Sequence, residues 1–275
     1  MQKEINPIAV FDSGYGGLTI LKEIKSLLPE YDYIYLGDNA RTPYGTRSFE
    51  IVYQYTLQAV KKLFSLNVPL IILACNTASA KALKTIQQKN LEKINPTNRV
   101  LGVIKPSIEA LQNITKTNHV GILATQGTVH SMSYVLEIKK IHPQIKVVQE
   151  ACPIWVPLVE SDEFDTLGGH YFIKKHLESL LAKDHNIDTI ILGCTHYPLL
   201  LPIIKKYVPK DIQIISQGKI VASSLKNYMF RHPEMENRCT KNATKKYFTT
   251  EAPKVFKEKA SIFLQENICV MHLDL

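Results

Sequence analysis

LIILACNTASA (70–80) and TIILGCTHYPL (189–199) decide how this chain is read. Each begins as a short apolar run rich in Ile and Leu, passes a small residue, reaches a cysteine and then turns polar. A continuous apolar run of four or five residues, without alternation, is the pattern of a strand buried on both faces of a parallel sheet. The cysteines Cys75 and Cys194 therefore fall where a strand ends and a helix begins, once in each half of the chain.

The pattern extends outward from these two segments. Further strands are expected at IAVF (8–11), YIYL (33–36), VLGVI (100–104), HVGILA (119–124), IKVVQ (145–149) and IQIIS (212–216). Helical patterns lie between them. After Arg47, for example, apolar residues recur at Ile51, Tyr55, Leu57, Val60, Leu63 and Phe64. Strand–helix alternation of this kind specifies an α/β fold with parallel sheets. A looser pair, IAVFDSGYGGLT (8–19) and VGILATQGTVHS (120–131), occurs in the same order as the cysteine pair. The expectation is two similar doubly wound α/β domains with mainly parallel sheets and an active site in the cleft between them. Pro96 and Pro209 mark the expected crossovers, with a first domain of 1–97 plus 208–275 and a second of 98–207. The polar, basic stretch from Arg231 to Lys246 reads as a surface loop.

Composition narrows the function. The net charge is +8, but the basic residues are spread along the chain and no zinc finger or RNA-binding signature occurs, so no nucleic-acid partner is expected. No apolar run reaches the roughly 18 residues that span a bilayer. The first residues lack the apolar core and cleavage site of a signal peptide, so the expected location is cytoplasmic and no membrane partner is expected. Five cysteines, an odd number with no CxxC pair, support neither a disulfide framework nor a zinc cluster. Cys152, Cys239 and Cys269 have no context that suggests chemistry and read as structural.

Cys75 and Cys194 are different. Ligands of open α/β sheets bind at the carboxyl ends of the strands. Unpaired helix N-terminal amides there favour a thiolate. Two acid/base groups in matching settings suit inversion of a stereocentre, which needs a base on one face and an acid on the other. A hydrolase with one nucleophilic cysteine would need only one of them. Asn76 and Thr77 follow one thiol, and Thr195 and His196 the other; amides and hydroxyls of this kind can cradle a carboxylate. His196 can also hydrogen-bond its neighbouring thiol. In DSGYGG (12–17), Thr19 occupies the place of the third glycine of a dinucleotide fingerprint, so no nucleotide cofactor is expected. Asp12 and Ser13 there read either as an ammonium or thiol partner or as an ordinary helix cap. Tyr44 and Gly45, in GDNARTPYG, read either as a plain turn or as a loop closing over a ligand by backbone and phenol hydrogen bonds. Thr125 and Thr128 can bind a carboxylate. Glu160 tunes a thiol or is solvated. A non-catalytic amino-acid binding module is the competing reading.

Taken together, FDSGYGGLT, YLGDNARTPYG, ILACNTASA, GVIKPS, GILATQGT, ACPIWVPLVE and LGCTHYPLL resemble the glutamate racemase family across nearly the whole chain. Aspartate racemases share the paired cysteines, but CTHYPL and GDNARTPYG are closer to the glutamate enzymes. The resemblance implies a racemase without pyridoxal or metal, supplying D-glutamate for peptidoglycan biosynthesis, with glutamate as its small-molecule partner and a homodimeric assembly. It implies Cys75 and Cys194 as catalytic thiols, with Asp12, Glu160 and His196 supporting proton transfer. Substrate contacts would come from Asp12, Ser13, Tyr44, Gly45, Asn76, Thr77, Thr125, Thr128, Thr195 and His196. Three features depart from the family pattern. Tyr15 stands where Val is usual, SQGK (216–219) replaces a commoner Asp-Ser-Ala or His-Ser-Gly segment, and only a few residues precede the first strand.

Overall fold

The computed structural model describes residues 6–275. Its first part runs β1 (Ile8–Asp12), α1 (Leu18–Leu27), β2 (Tyr33–Gly37), α2 (Phe49–Ser65), β3 (Leu70–Leu73) and α3 (Asn76–Lys81). Short helical turns α4 (Leu83–Thr85) and α5 (Leu91–Ile94) lead to β4 (Arg99–Gly102) and α6 (Ile104–Glu109). There follow β5 (His119–Ala124), α7 (Gln126–His130), α8 (Ser133–Ile141), β6 (Lys146–Ala151), α9 (Trp155–Glu160), α10 (Leu167–Lys183), β7 (Thr189–Gly193), α11 (Leu201–Tyr207) and β8 (Gln213–Ile215). The chain closes with α12 (Gln217–Arg231), α13 (Pro233–Glu236), β9 (Lys245–Thr249), α14 (Pro253–Leu264) and β10 (Val270–His272).

All strands among the described residues are parallel and form two sheets. The first has the order β10-β9-β2-β1-β3-β4 and the second β6-β5-β7-β8. The unbroken apolar runs become the central strands, since every residue of β1, β2, β3 and β7 is buried. Helices cover both sheet faces, so such strands need no polar side. In each sheet the chain leaves the first strand in opposite directions, making a topological switch point between β1 and β3 and another between β5 and β7. Loops that part at such a point leave a crevice at the carboxyl ends of the strands. Asp12 and Cys75 stand at the first crevice, and Thr125 and Cys194 at the second.

Two expectations are revised. β4 pairs with β3 and β8 pairs with β7, so the chain changes sheets after Gly102 and after Ile215 rather than at Pro96 and Pro209. Each proline instead lies in the turn that opens an edge strand of its own sheet, β4 or β8. The 231–246 stretch is not a free loop: it contains α13 and enters β9, which pairs with β2. Its polar side chains are gathered by the buried Asp32 carboxylate, which accepts from Asn242 Nδ2 (2.7 Å), Thr244 N (2.8 Å) and Thr244 Oγ1 (2.6 Å). Burial raises the Asp32 pKa, but these hydrogen bonds and one from Thr240 outweigh it and hold the value at about 2. Among the described residues no helix is long and apolar enough to cross a membrane.

Candidate active site

The carboxyl edges of the two sheets enclose one pocket of about 650 Å³, counting its open mouth. Cys75 and Cys194 both line it, although they come from different sheets. Ser13, Tyr44, Gly45, Asn76, Thr77, Thr125, Thr195 and His196 complete the part of the lining foreseen from sequence.

The two sulfurs have different surroundings. Cys75 caps α3, its Sγ accepting from Ala78 N at 3.4 Å and lying 3.5 Å from Ser13 Oγ. Burial pushes its thiol up to about 12, and the nearby Asp12 carboxylate adds to the rise. Among the described residues no cation offsets the rise, so this sulfur holds its proton at neutral pH. Cys194 Sγ instead lies 3.9 Å from His196 Nδ1, and His196 Nε2 lies 2.9 Å from Glu160 Oε1. Burial, the largest influence on His196, disfavours the imidazolium; the hydrogen bonds to Cys194 and Glu160 more than offset it and raise the pKa to about 10. One sulfur of the pocket thus keeps its proton, and the other lies beside a protonated imidazole.

Three of the foreseen residues lie one hydrogen bond behind the wall. Asp12, fully buried, accepts from Gly14 N (3.0 Å) and Thr195 Oγ1 (3.3 Å), and burial raises its pKa. Glu160 reaches the pocket only through His196. Thr128 sits behind Thr77 (3.3 Å) and Thr125 (3.0 Å), which are themselves 3.0 Å apart. This triangle of hydroxyls joins α3 of the first sheet to α7 of the second. The Gly127 N–H donates to the Gly45 carbonyl (2.8 Å) and closes the same seam. A Cβ on Gly45 would come within 2.9 Å of Thr125 Cβ, so glycine is what lets the loop lie this close. The Tyr44 hydroxyl donates to the Asp38 carboxylate, so its proton serves the loop itself.

Sequence reading also missed one wall. Pro153, Val156 and Pro157 line the pocket from the segment after β6, and Thr42, Pro43, Thr46 and Gln126 lie beside the foreseen loop residues. The usable signal was position, because ACPIWVPLVE follows a strand at the carboxyl edge just as the cysteine segments do. Among the described residues no group of three His, Cys, Asp or Glu side chains is placed to hold a metal ion.

The His196 shift makes a prediction about stability. Its folded pKa (about 10) lies above its ordinary value of 6.5, so the protonated ring stabilises the fold fully below pH 6.5 and progressively less as pH rises through about 10. Denaturant unfolding followed across this range should show falling stability with rising pH, and His196→Gln should flatten the slope. An unchanged slope in that variant would contradict the assigned ion pair.

A family model described as Asp/Glu/hydantoin racemase matches residues 18–225. The chain belongs to the Asp/Glu racemase family. Within it, the chain is 40% identical to a glutamate racemase of Bacillus cereus over 261 residues, covering 95% of this chain and 94% of the relative. A crystal structure of a glutamate racemase from Bacillus anthracis superposes with a TM-score of 0.89 at 35% identity, covering 99% of both chains. The glutamate racemase of Francisella tularensis, solved in complex with D-glutamate, gives 0.85 at 35% identity, covering 99% of this chain and 98% of that one. The racemase fold of these relatives, with its two domains, accounts for the paired parallel sheets seen here.

Proposed function

We propose that this protein interconverts L- and D-glutamate by two-base proton transfer at Cα, with Cys75 and Cys194 as the two acid/base groups. The observation that carries the reading is that both sulfurs line one pocket from corresponding strand ends of two sheets, with opposite provisions for a proton. Its likeness to glutamate racemases, one of them bound to D-glutamate, supports glutamate as the substrate.

In this mechanism a Cys194 thiolate, paired with the His196 imidazolium, removes the α-proton from one face. The Cys75 thiol delivers its proton to the other face, so the product leaves with Cys194 protonated and Cys75 as the thiolate. That inverted state is the one ready for the opposite enantiomer. The α-proton is a very weak acid, so charge developing on the α-carboxylate must be stabilised. The Asn76 amide, the hydroxyls of Ser13 and Thr77, and backbone N–H groups at the strand ends are the donors available. Preorganised donors of this kind contribute about 3 kcal/mol each when aimed at developing charge. Thr125, with Thr128 behind it, and the Tyr44–Gly45 backbone, all at or next to the pocket wall, would hold the distal carboxylate. Asp12, Glu160 and His196 set the proton balance of the sulfurs. No step calls for a cofactor. A racemase of this kind would work in the cytoplasm, supply D-glutamate to peptidoglycan synthesis, and assemble as a homodimer.

The test is circular dichroism of L-glutamate incubated with the protein, without added cofactor, with L-aspartate in parallel. The glutamate signal should decay to zero, and aspartate should react at least about a hundredfold more slowly. A stable glutamate signal, or faster loss of the aspartate signal, would overturn the assignment.

A further inference from the structure

The segment SQGK (216–219), which departs from the family pattern, places Gln217 in a buried polar knot. Gln217 opens α12 and is buried. The two protons on its Nε2 face three acceptors, Ser107 Oγ (2.8 Å), Tyr134 OH (2.9 Å) and the Val103 carbonyl (3.2 Å), so one proton is shared between two of them. Its Oε1 accepts from Asn76 Nδ2 at 2.7 Å, and the Tyr134 hydroxyl donates to Asn76 Oδ1, also at 2.7 Å. Gln217 follows one change of sheet and Val103 the other, so the knot ties the two crossovers to the first residue of α3.

We propose that Gln217 is a positioning residue that fixes which edge of the Asn76 amide the pocket presents, and that it thereby selects for an anionic ligand. The proposal rests on the reading of Asn76 as a donor to a substrate carboxylate. An amide's two ends have nearly the same shape, so orientation must come from hydrogen-bond polarity. Here the polarity starts at the Val103 carbonyl, which can only accept. Ser107 Oγ already donates to that carbonyl at 2.9 Å, so toward Gln217 it too accepts. Gln217 must therefore turn Nε2 toward Val103 and Ser107, which leaves Oε1 facing Asn76. Oε1 has no proton, so Asn76 must turn Nδ2 toward it, and Asn76 Oδ1 is left to Tyr134. Tyr134 donates its only proton there and accepts from Gln217. Every hydrogen bond in the ring has one allowed direction.

The consequence reaches the pocket, which Asn76 lines. Nδ2 carries two protons and only one is used within the protein among the described residues, so a further N–H is available to a ligand. Freed from Gln217, the Asn76 amide could reverse and offer its carbonyl to the carboxylate instead. Two buried amides and a phenol thus convert the direction of a backbone carbonyl at the crossover into a donor in the pocket.

The test compares Gln217→Met and Gln217→Leu, which remove both polar atoms with side chains of two shapes, and Tyr134→Phe, which removes the donor to Asn76 Oδ1. The readings are KM and kcat for both glutamate enantiomers, the affinity for glutarate, and the thermal midpoint. Each Gln217 variant should raise KM for both enantiomers about tenfold and weaken glutarate by the same factor, the effect of losing one hydrogen bond to a charged group, with kcat changed less than about threefold. Tyr134→Phe should move the same readings in the same direction by a smaller factor. KM and glutarate affinity that stay put while only the thermal midpoint falls would overturn the proposal, because a merely structural knot gives that result. If neither Gln217 variant folds, Tyr134→Phe, which keeps the ring and its packing, decides on the same readings. A wild-type protein that binds glutarate without racemising glutamate would defeat the functional reading instead, and the glutarate affinities of the variants would then judge Gln217 alone.

Discussion

Cys75→Ala and Cys194→Ala should each lower glutamate racemisation by about a thousandfold or more, in both directions, with binding of glutarate nearly unchanged. The magnitude follows from what a positioned acid or base contributes to proton transfer, about 10² to 10⁴-fold. The requirement for both follows from geometry. A carbon deprotonated on one face and not reprotonated on the other returns to the starting enantiomer. Each sulfur stands at the end of a different sheet, so neither can cover both faces of a bound amino acid. Initial rates by circular dichroism from L- and from D-glutamate check this. Racemisation surviving at more than a few per cent in either variant would show that one of the sulfurs is a bystander.

Gly16→Ala should lower kcat by about a hundredfold. A Cβ there would fall 2.3 Å from Thr195 Oγ1 and 2.5 Å from His196 Nδ1. Both atoms belong to the arm that carries Cys194. Among the described residues no glycine has a positive φ, so the glycine is needed for space and not for its backbone freedom. His196 cannot move aside easily, since Glu160 holds its other nitrogen and the Phe263 ring meets it edge-on with centroids 5.6 Å apart. The methyl must therefore displace Nδ1 from the sulfur. A misplacement of about 1 Å in a reacting group can cost on the order of 10²-fold. Gly168→Ala, whose Cβ would meet nothing closer than 3.9 Å, is the control. Near-normal kcat in Gly16→Ala would mean that the His196 contact with Cys194 does not matter to turnover.

The parts of this site legible in the sequence were those written in local pattern. Central strands are continuous apolar runs, and a cysteine directly after such a run can only sit at a strand end, so Cys75 and Cys194 could be placed without coordinates. Asp12 and Thr125 were found the same way. What escaped was carried by pairing between distant residues. β9 joins the sheet beside β2, but KKYFT begins with two exposed lysines and gives no apolar run. Asp32 gathers Asn242 and Thr244 from more than two hundred residues away, which turns a stretch that looks solvated into a fastened one. The Tyr44 hydroxyl is donated to Asp38 within the same GDNARTPYG segment, a pairing that residue types and spacing alone do not reveal. Gln217 was visible only as a departure from a family pattern, since its partners Val103, Ser107, Tyr134 and Asn76 are scattered through the sequence. Prolines 96 and 209 misled in a simpler way. A turn signal marks a change of direction, but it does not say which sheet the next strand will join.

The most direct test of two sulfurs serving opposite faces is the fate of solvent deuterium at early conversion. L-Glutamate should be incubated in deuterated water and the two enantiomers separated before about a tenth has reacted. The account predicts that the D-glutamate formed carries deuterium at Cα while the remaining L-glutamate is still protiated, and that the mirror result is obtained from D-glutamate. Deuterium entering the recovered substrate as fast as the product would mean that a single group removes and returns the proton, and would contradict the account.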